Sequence, residues 1–183
     1  MTIWDLDIAL QHIKQHFGFL FMGETKILHS DFPDHFDNFI VILEKPEFRI
    51  RFTRDRSSIT MQIGTHQAGS GWSTDGWYEL TGIIMYLTSN QIMIVEYENT
   101  FDSDLQLERL AKVFVYYYDQ IVDLFRPENF SKQKEKLWQV ILEAISIIVY
   151  PVRKDERKKL MKQTRNFWQS IGVSMENNDR NTY

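Results

Sequence analysis

Between Phe48 and Gly64 the side chains alternate with period two. Phe48, Ile50 and Phe52 interleave with Arg49, Arg51 and Thr53, and after Asp55 to Ser58 the alternation resumes with Ile59, Met61 and Ile63 against Thr60, Gln62 and Gly64. Successive residues of a strand point to opposite faces, so this spacing predicts two paired strands with one apolar and one polar face. The continuous apolar run Phe39 to Leu43 precedes them across a Lys45-Pro46 turn. The reading is a three-stranded antiparallel meander over about 39–65. Its arginine side is expected to face water, as one side of an antiparallel sheet commonly does.

The flanks set the fold class. Thr2 with Asp5 has capping-box spacing, and Leu6, Leu10, Ile13 and Phe17 then share one helical face up to Gly18. The runs FLFM and KILH around Gly23-Glu24-Thr25 read as a short hairpin, and HSDFPDHFD as a polar loop. Asp75 is placed to cap a helix over Trp77–Leu87, and QIMIVEY reads as a strand from its β-branched content. Ser103 with Gln106 opens a helix running to the Arg126-Pro127 break. A further helix starts at Ser131, with Leu137, Trp138, Ile141, Ile145 and Ile148 toward the core; its far end is apolar nearly all round and is expected to be central. After Pro151 a last helix carries Leu160, Thr164, Phe167, Trp168 and Ile171 on one face and stops at Gly172. The expected fold is α+β: an N-terminal helix and a small antiparallel sheet, the meander plus one or two extra strands, packed against three to four C-terminal helices. Residues 1–173 form one domain, sheet-rich over 1–100 and helical over 101–172, with 174–183 a disordered tail.

The chain has 183 residues, enough to bury a core without staples. It contains no cysteine, which excludes disulfides, thiolate metal sites and a cysteine nucleophile and agrees with a reducing, cytoplasmic setting. LWQVILEAISIIVYP is interrupted by Gln139 and Glu143 and is too short to span a bilayer, so no membrane association is expected. The net charge is −4. Two basic islands stand in that acidic body: four arginines within Arg49–Arg56, and a run over 153–165 with seven cations against Asp155 and Glu156. An acidic whole repels phosphate at long range, which makes nucleic acid the lesser expectation.

The chemistry-bearing clusters are few. His12 and His16 lie four apart, without the glutamate that would follow His12 in a metalloprotease helix, and read as surface histidines. The Asp31, Asp34 and Asp37 loop lacks the glycine and spacing of a calcium loop; its second use is an acidic docking patch. GTHQAGSGWSTDG, residues 64–76, has no phosphate-loop, dinucleotide or nucleophile-elbow pattern. It reads as a flexible connection in which Trp72 and Trp77 could close over a ligand. Of Tyr116, Tyr117 and Tyr118, at least one must face solvent. Neither a local Ser/His/Asp motif nor a paired-carboxylate motif is present, and no cofactor or metal site is expected.

The succession FRIRFTRDR, WYELTGIIMYL and LERLAKVFVYYYDQIVDLF resembles small bacterial α+β proteins, some of them immunity partners of secreted toxins. The similarity is a strand–helix–helix pattern over residues 48–126 and assigns no residue a role. The leading expectation is a cytoplasmic protein-interaction domain without catalytic activity, an immunity-like inhibitor of a basic partner protein. Its contacts would come from Asp31, Asp34, Asp37, Trp72, Trp77, Glu96, Glu98, Arg49 and Arg51. One alternative is a nucleic-acid accessory factor using Arg49, Arg51 and the basic helix 153–165. Another is a small-ligand binder or hydrolase using the 64–77 loop.

Overall fold

The computed structural model describes residues 5–32, 38–56, 58–92, 102–149 and 153–172. Five strands form one antiparallel sheet in the order of the chain: β1 (Lys26–Asp31), β2 (Phe39–Glu44), β3 (Arg49–Asp55), β4 (Ser58–Gly64) and β5 (Trp77–Glu79). The meander of β2, β3 and β4 is the one its alternation predicts. The two extra strands take the edges. Helices α1 (Leu6–Phe17), α3 (Ser103–Tyr116) and α2 (Leu80–Leu87) pack on the sheet, α5 (Pro127–Val149) reaches its β5 edge and packs on α2, and α4 (Tyr118–Phe125) and α6 (Lys154–Ser170) pack on α5.

The core follows from register. Val41, Phe52 and Met61 stand opposite one another across β2, β3 and β4, as do Leu43, Ile50 and Ile63, and all six are fully buried. Phe17, Phe48, Phe52 and Phe114 then meet edge-on or tilted, with ring centres 4.9–6.3 Å apart. Burial of each such side chain contributes roughly 1.5–3 kcal/mol, so this cluster dominates the stability of the sheet–helix interface.

Several local expectations are corrected. Asp5 itself caps α1, accepting from the Ile8 N–H at 2.9 Å. Thr2 lies outside the described residues. α1 ends at Phe17 with Gly18 as its C-cap, as expected, but Gly18 keeps a right-handed φ of −52° and the chain continues into a 3-10 turn, Gly18–Phe21, where a hairpin arm was expected. Core packing decides that outcome, since Leu20 is buried and Phe19 stacks on Phe114. The following strand runs to Asp31, three residues into the expected polar loop, with a bulge between Ile27 and His29.

Trp77 to Glu79 form an edge strand instead of the first turn of a helix. They pair with Gln62, Ile63 and Gly64, and α2 begins only at Leu80. Pairing satisfies backbone groups of β4 that would otherwise form the sheet edge. The helix cap expected at Ser103 is Asp102, which accepts from the Asp104 and Leu105 N–H groups. Gln106 is thereby released from a capping box. It is buried and accepts from the Ile59 N–H at 2.6 Å, tying α3 to the start of β4.

The long helix expected up to Arg126 is two helices that meet at Tyr117. The break shifts the helical phase, leaving Tyr116 exposed and Tyr117 buried. α5 begins at Pro127 rather than Ser131, as proline is suited to the first helical position and Arg126 before it is extended. Its far half is not surrounded by the described residues. Leu137, Ile141, Ala144 and Ile147 are buried, whereas Trp138, Leu142 and Ile145 are about half exposed, Trp138 with one edge against the Tyr78 ring at 6.4 Å. Among the described residues, α2 and α6 pack along one side of α5, and α2 comes close because residue 82 is glycine. The strand expected over 91–97 and the tail at 174–183 fall, from residues 93 and 173 onward, outside the described residues.

Candidate functional site

The antiparallel register assembles polar rows across the face of the sheet remote from the helices. One row reads His29, Ile42, Arg51, Gln62 and Glu79 from β1 to β5; the next reads Lys26, Glu44, Arg49, Gly64 and Trp77. This is the face expected to be wet. It is not: Arg51 is only 3% exposed. The glycine-rich segment 65–76 lies over it as a roof.

Arg51 holds the roof in place. Its Nε donates to Gln62 Oε1 at 2.6 Å, and its NH1 group donates to the Gly71 carbonyl at 3.1 Å and to the Ser73 carbonyl. The guanidinium also lies over the Trp77 ring, 4.6 Å from its centre, a cation–π arrangement. One row away, Arg49 donates to Glu44 at 2.9 Å and to the Ala68 carbonyl at 2.9 Å. Trp77 Nε1 donates to the Gly69 carbonyl, and the Gly69 N–H to the Asp75 carbonyl. Ile40, Ile42, Ala68 and Trp77 form a small apolar cluster beneath. Gly64 is required there, because a Cβ would sit 2.6 Å from that of Ala68 and 2.8 Å from the Gly76 carbonyl. The segment expected to be a flexible connection is therefore a pinned cover, and the apolar space below it is filled by the protein's own side chains.

Burial shapes the charges under the roof. Desolvation lowers the Arg51 pKa to about 10, against an opposing pull from Glu79. The Glu79 carboxyl is pushed above its ordinary range by burial and drawn back down by Arg51. Glu44 is held below the usual carboxylate range, chiefly by the hydrogen bond from Arg49. These are signs of a paired structural network. Arg51 cannot reach an external phosphate while its donors are engaged.

The other candidate residues are placed as follows. Trp72 is 46% exposed and donates from Nε1 to Asp31 Oδ2 at 2.8 Å, so Asp31 fastens the roof to the edge strand. Asp34, Asp37, Glu96 and Glu98 lie outside the described residues. His12 and His16 converge on one carboxylate from the first turn of α3: His12 Nδ1 is 2.7 Å and His16 Nε2 is 3.3 Å from Asp104 Oδ1. Among the described residues no group of three or more such side chains is placed to hold a metal ion.

The histidine contacts, that from His12 first, hold Asp104 below its ordinary carboxylate range. A depressed carboxylate stabilises the fold above the unfolded pKa, and that contribution fades as pH falls through the lower folded value. Asp104→Asn should thus lower stability at pH 6 by roughly 0.5–1 kcal/mol, the range for a half-exposed pair. Urea titrations at pH 6 and at about pH 3 should show the difference between variant and parent shrinking at the acid end.

Two surfaces emerge only in three dimensions. On α5, Trp138, Leu142 and Ile145 are 49%, 49% and 45% exposed and lie in one line at spacings of four and three. On α6, an open groove of about 670 Å³ is lined by Lys154, Arg157, Lys158, Lys162 and Arg165. A smaller cleft of about 330 Å³ between α4 and α5 presents Asp119 and Asp123. Helical spacing alone signals the apolar line, but it cannot tell which of two adjacent lines a neighbour covers.

A five-stranded antiparallel sheet with helices on one face and a pinned loop on the other defines an α+β domain. No protein-family model, no curated protein and no solved structure matches the chain. Among the described residues no helix is long and apolar enough to cross a membrane.

Proposed function

We propose that the chain is a cytoplasmic protein-interaction domain, acting by docking rather than by catalysis, and that it docks through the outer line of α5. The observation that carries this reading is the exposure of Trp138, Leu142 and Ile145 on one helical face. Nearly half of each side chain is open to water. Tryptophan is enriched among residues that dominate binding energies, and an aligned apolar line on a helix suits a complementary apolar face of a partner. Gln139 and Ser146 border the line and supply the polar rim such interfaces carry.

A finer reading is an immunity-like inhibitor of a basic protein. It draws on the acidic body of the chain and on the cleft with Asp119 and Asp123, where a partner's lysine or arginine would find two carboxylates.

Trp138→Ser with Leu142→Ser tests the docking face. The parent chain, tagged and drawn from native lysate, should retain a stoichiometric companion that the double variant loses. Affinity for that companion should fall at least ~30-fold, as removal of a ~2 kcal/mol hot spot requires, while far-ultraviolet circular dichroism stays unchanged. Equal retention by parent and variant, or a parent that elutes alone, would rule the α5 face out.

A further inference from the structure

We infer that the groove along α6 binds the phosphate backbone of double-stranded nucleic acid, without reading its sequence. This goes beyond protein docking and rests on a different helix. Lys154, Arg157, Lys158, Lys162 and Arg165 are all exposed and all line the same groove. From Lys154 to Arg165 the helix rises about 16 Å. That length matches several successive phosphates, since duplex DNA carries one charge per ~1.7 Å of axis.

Three observations select this occupant. First, no acid lines the groove among the described residues: Asp155 and Glu156 lie elsewhere on the helix, and Glu156 faces Arg153 at 3.9 Å. Second, Met161 is the only apolar side chain in the described lining. A protein interface needs a desolvated apolar centre, whereas nucleic-acid interfaces are polar and strongly positive. Third, the aromatic and apolar residues of α6 other than Met161 are turned inward. Leu160 and Trp168 are buried, and Phe167 packs on Tyr116 and Tyr117. That removes the free apolar face a membrane-surface helix requires, and the stacking platforms that hold single strands. What remains is cation-to-phosphate contact, with arginine forks and the amides of Asn166 and Gln169 as donors. The partner is recognised by charge density. The arginine strand takes no part, because Arg51 is buried under its roof.

The test is fluorescence anisotropy of a labelled random-sequence 20-base-pair DNA duplex, titrated with the full chain between ~50 and 200 mM salt. Log affinity should fall linearly with log salt, with a slope of about −3 to −4. The variant Arg157→Gln, Lys158→Gln, Lys162→Gln and Arg165→Gln should bind at least ~10-fold more weakly and lose about three units of slope. Lys132→Gln with Lys134→Gln, exposed cations on α5, should leave both quantities unchanged. Circular dichroism of each variant establishes that it is folded. Any of three results would overturn the proposal: no anisotropy change at 50 mM salt and ~100 µM protein, equal binding by the α6 variant, or binding to a labelled oligoglutamate peptide with none to the duplex.

Discussion

Gly82→Ala should destabilise the protein by roughly 1–3 kcal/mol, the range for overpacked cores. At most helical positions the same change stabilises, since glycine costs about 1 kcal/mol relative to alanine. The sign reverses here because α2 meets α5 at this residue. A Cβ on Gly82 would stand 2.2 Å from Cγ1 of Ile141 and 3.0 Å from its Cδ1. The position of Cγ1 is set by χ1, and a β-branched residue in a helix has one strongly preferred χ1 rotamer, so turning Cγ1 away is itself costly and the helices are pushed apart instead. Separation would loosen Ile83, Ile84 and Met85 as well, all fully buried. Ile141→Ala removes the obstructing atoms and alone should cost about 2–5 kcal/mol through the cavity it leaves. In the double variant the new methyl enters that cavity. The combined loss should therefore be smaller than the sum by roughly 1–2 kcal/mol, as expected of residues in contact. Urea midpoints at constant m supply all four corners of the cycle. A stabilised Gly82→Ala, or strictly additive losses, would mean that α2 and α5 do not touch as described.

That contact also shows where the sequence stops being legible. The meander could be read directly, because period two assigns each residue of β3 and β4 a face and the turns fix which strands pair. Phe48, Ile50 and Phe52 are fully buried, as the alternation requires. The helices on α1, α3 and α6 declare their inner lines in the same way. What local periodicity cannot supply is the number of neighbours an element has. The far half of α5 is apolar nearly all round and reads as central, yet among the described residues α2 and α6 pack on one side of it. Trp138, Leu142 and Ile145 are left at the surface for that reason.

The opposite error occurs on the sheet. Arg49 and Arg51 occupy the polar face, which alternation assigns to solvent. Whether that face is wet depends on a connection whose composition signals turns and whose position signals nothing. Once 65–76 folds back, guanidinium donors satisfy its carbonyls, which would otherwise be buried without partners. Arginine-rich alternation followed by a long glycine segment is the only sequence trace of this arrangement. Gln62 and Glu79 belong to the same row through register alone, a non-local relation.

The roof supplies the second large effect. Arg51→Met should lower stability by about 3–5 kcal/mol, because each buried acceptor left without its donor costs roughly 1–3 kcal/mol. Three acceptors lose their donor at once: Gln62 Oε1 and the carbonyls of Gly71 and Ser73. Amide exchange over 66–76 should accelerate well beyond that of β2 and β3, because local opening then precedes global unfolding. Arg51→Lys keeps the charge but cannot span both Gln62 and the roof carbonyls, so it should fall between parent and methionine variant.

The pH dependence has a definite sign. Burial already raises Glu79 above its ordinary value, and the Arg51 cation is what draws it down. Without that cation the folded pKa rises further. A raised carboxyl contributes stability below its unfolded pKa and loses it as pH climbs through the folded one. The deficit of Arg51→Met should consequently be larger at pH 8 than at about pH 4, and Glu79→Gln in the same chain should remove most of that dependence. A deficit under ~1 kcal/mol with unchanged exchange over 66–76 would place Arg51 in solvent and the roof elsewhere. The face that alternation alone assigns to water would then be open, and the exclusion of this strand from phosphate contact would no longer hold.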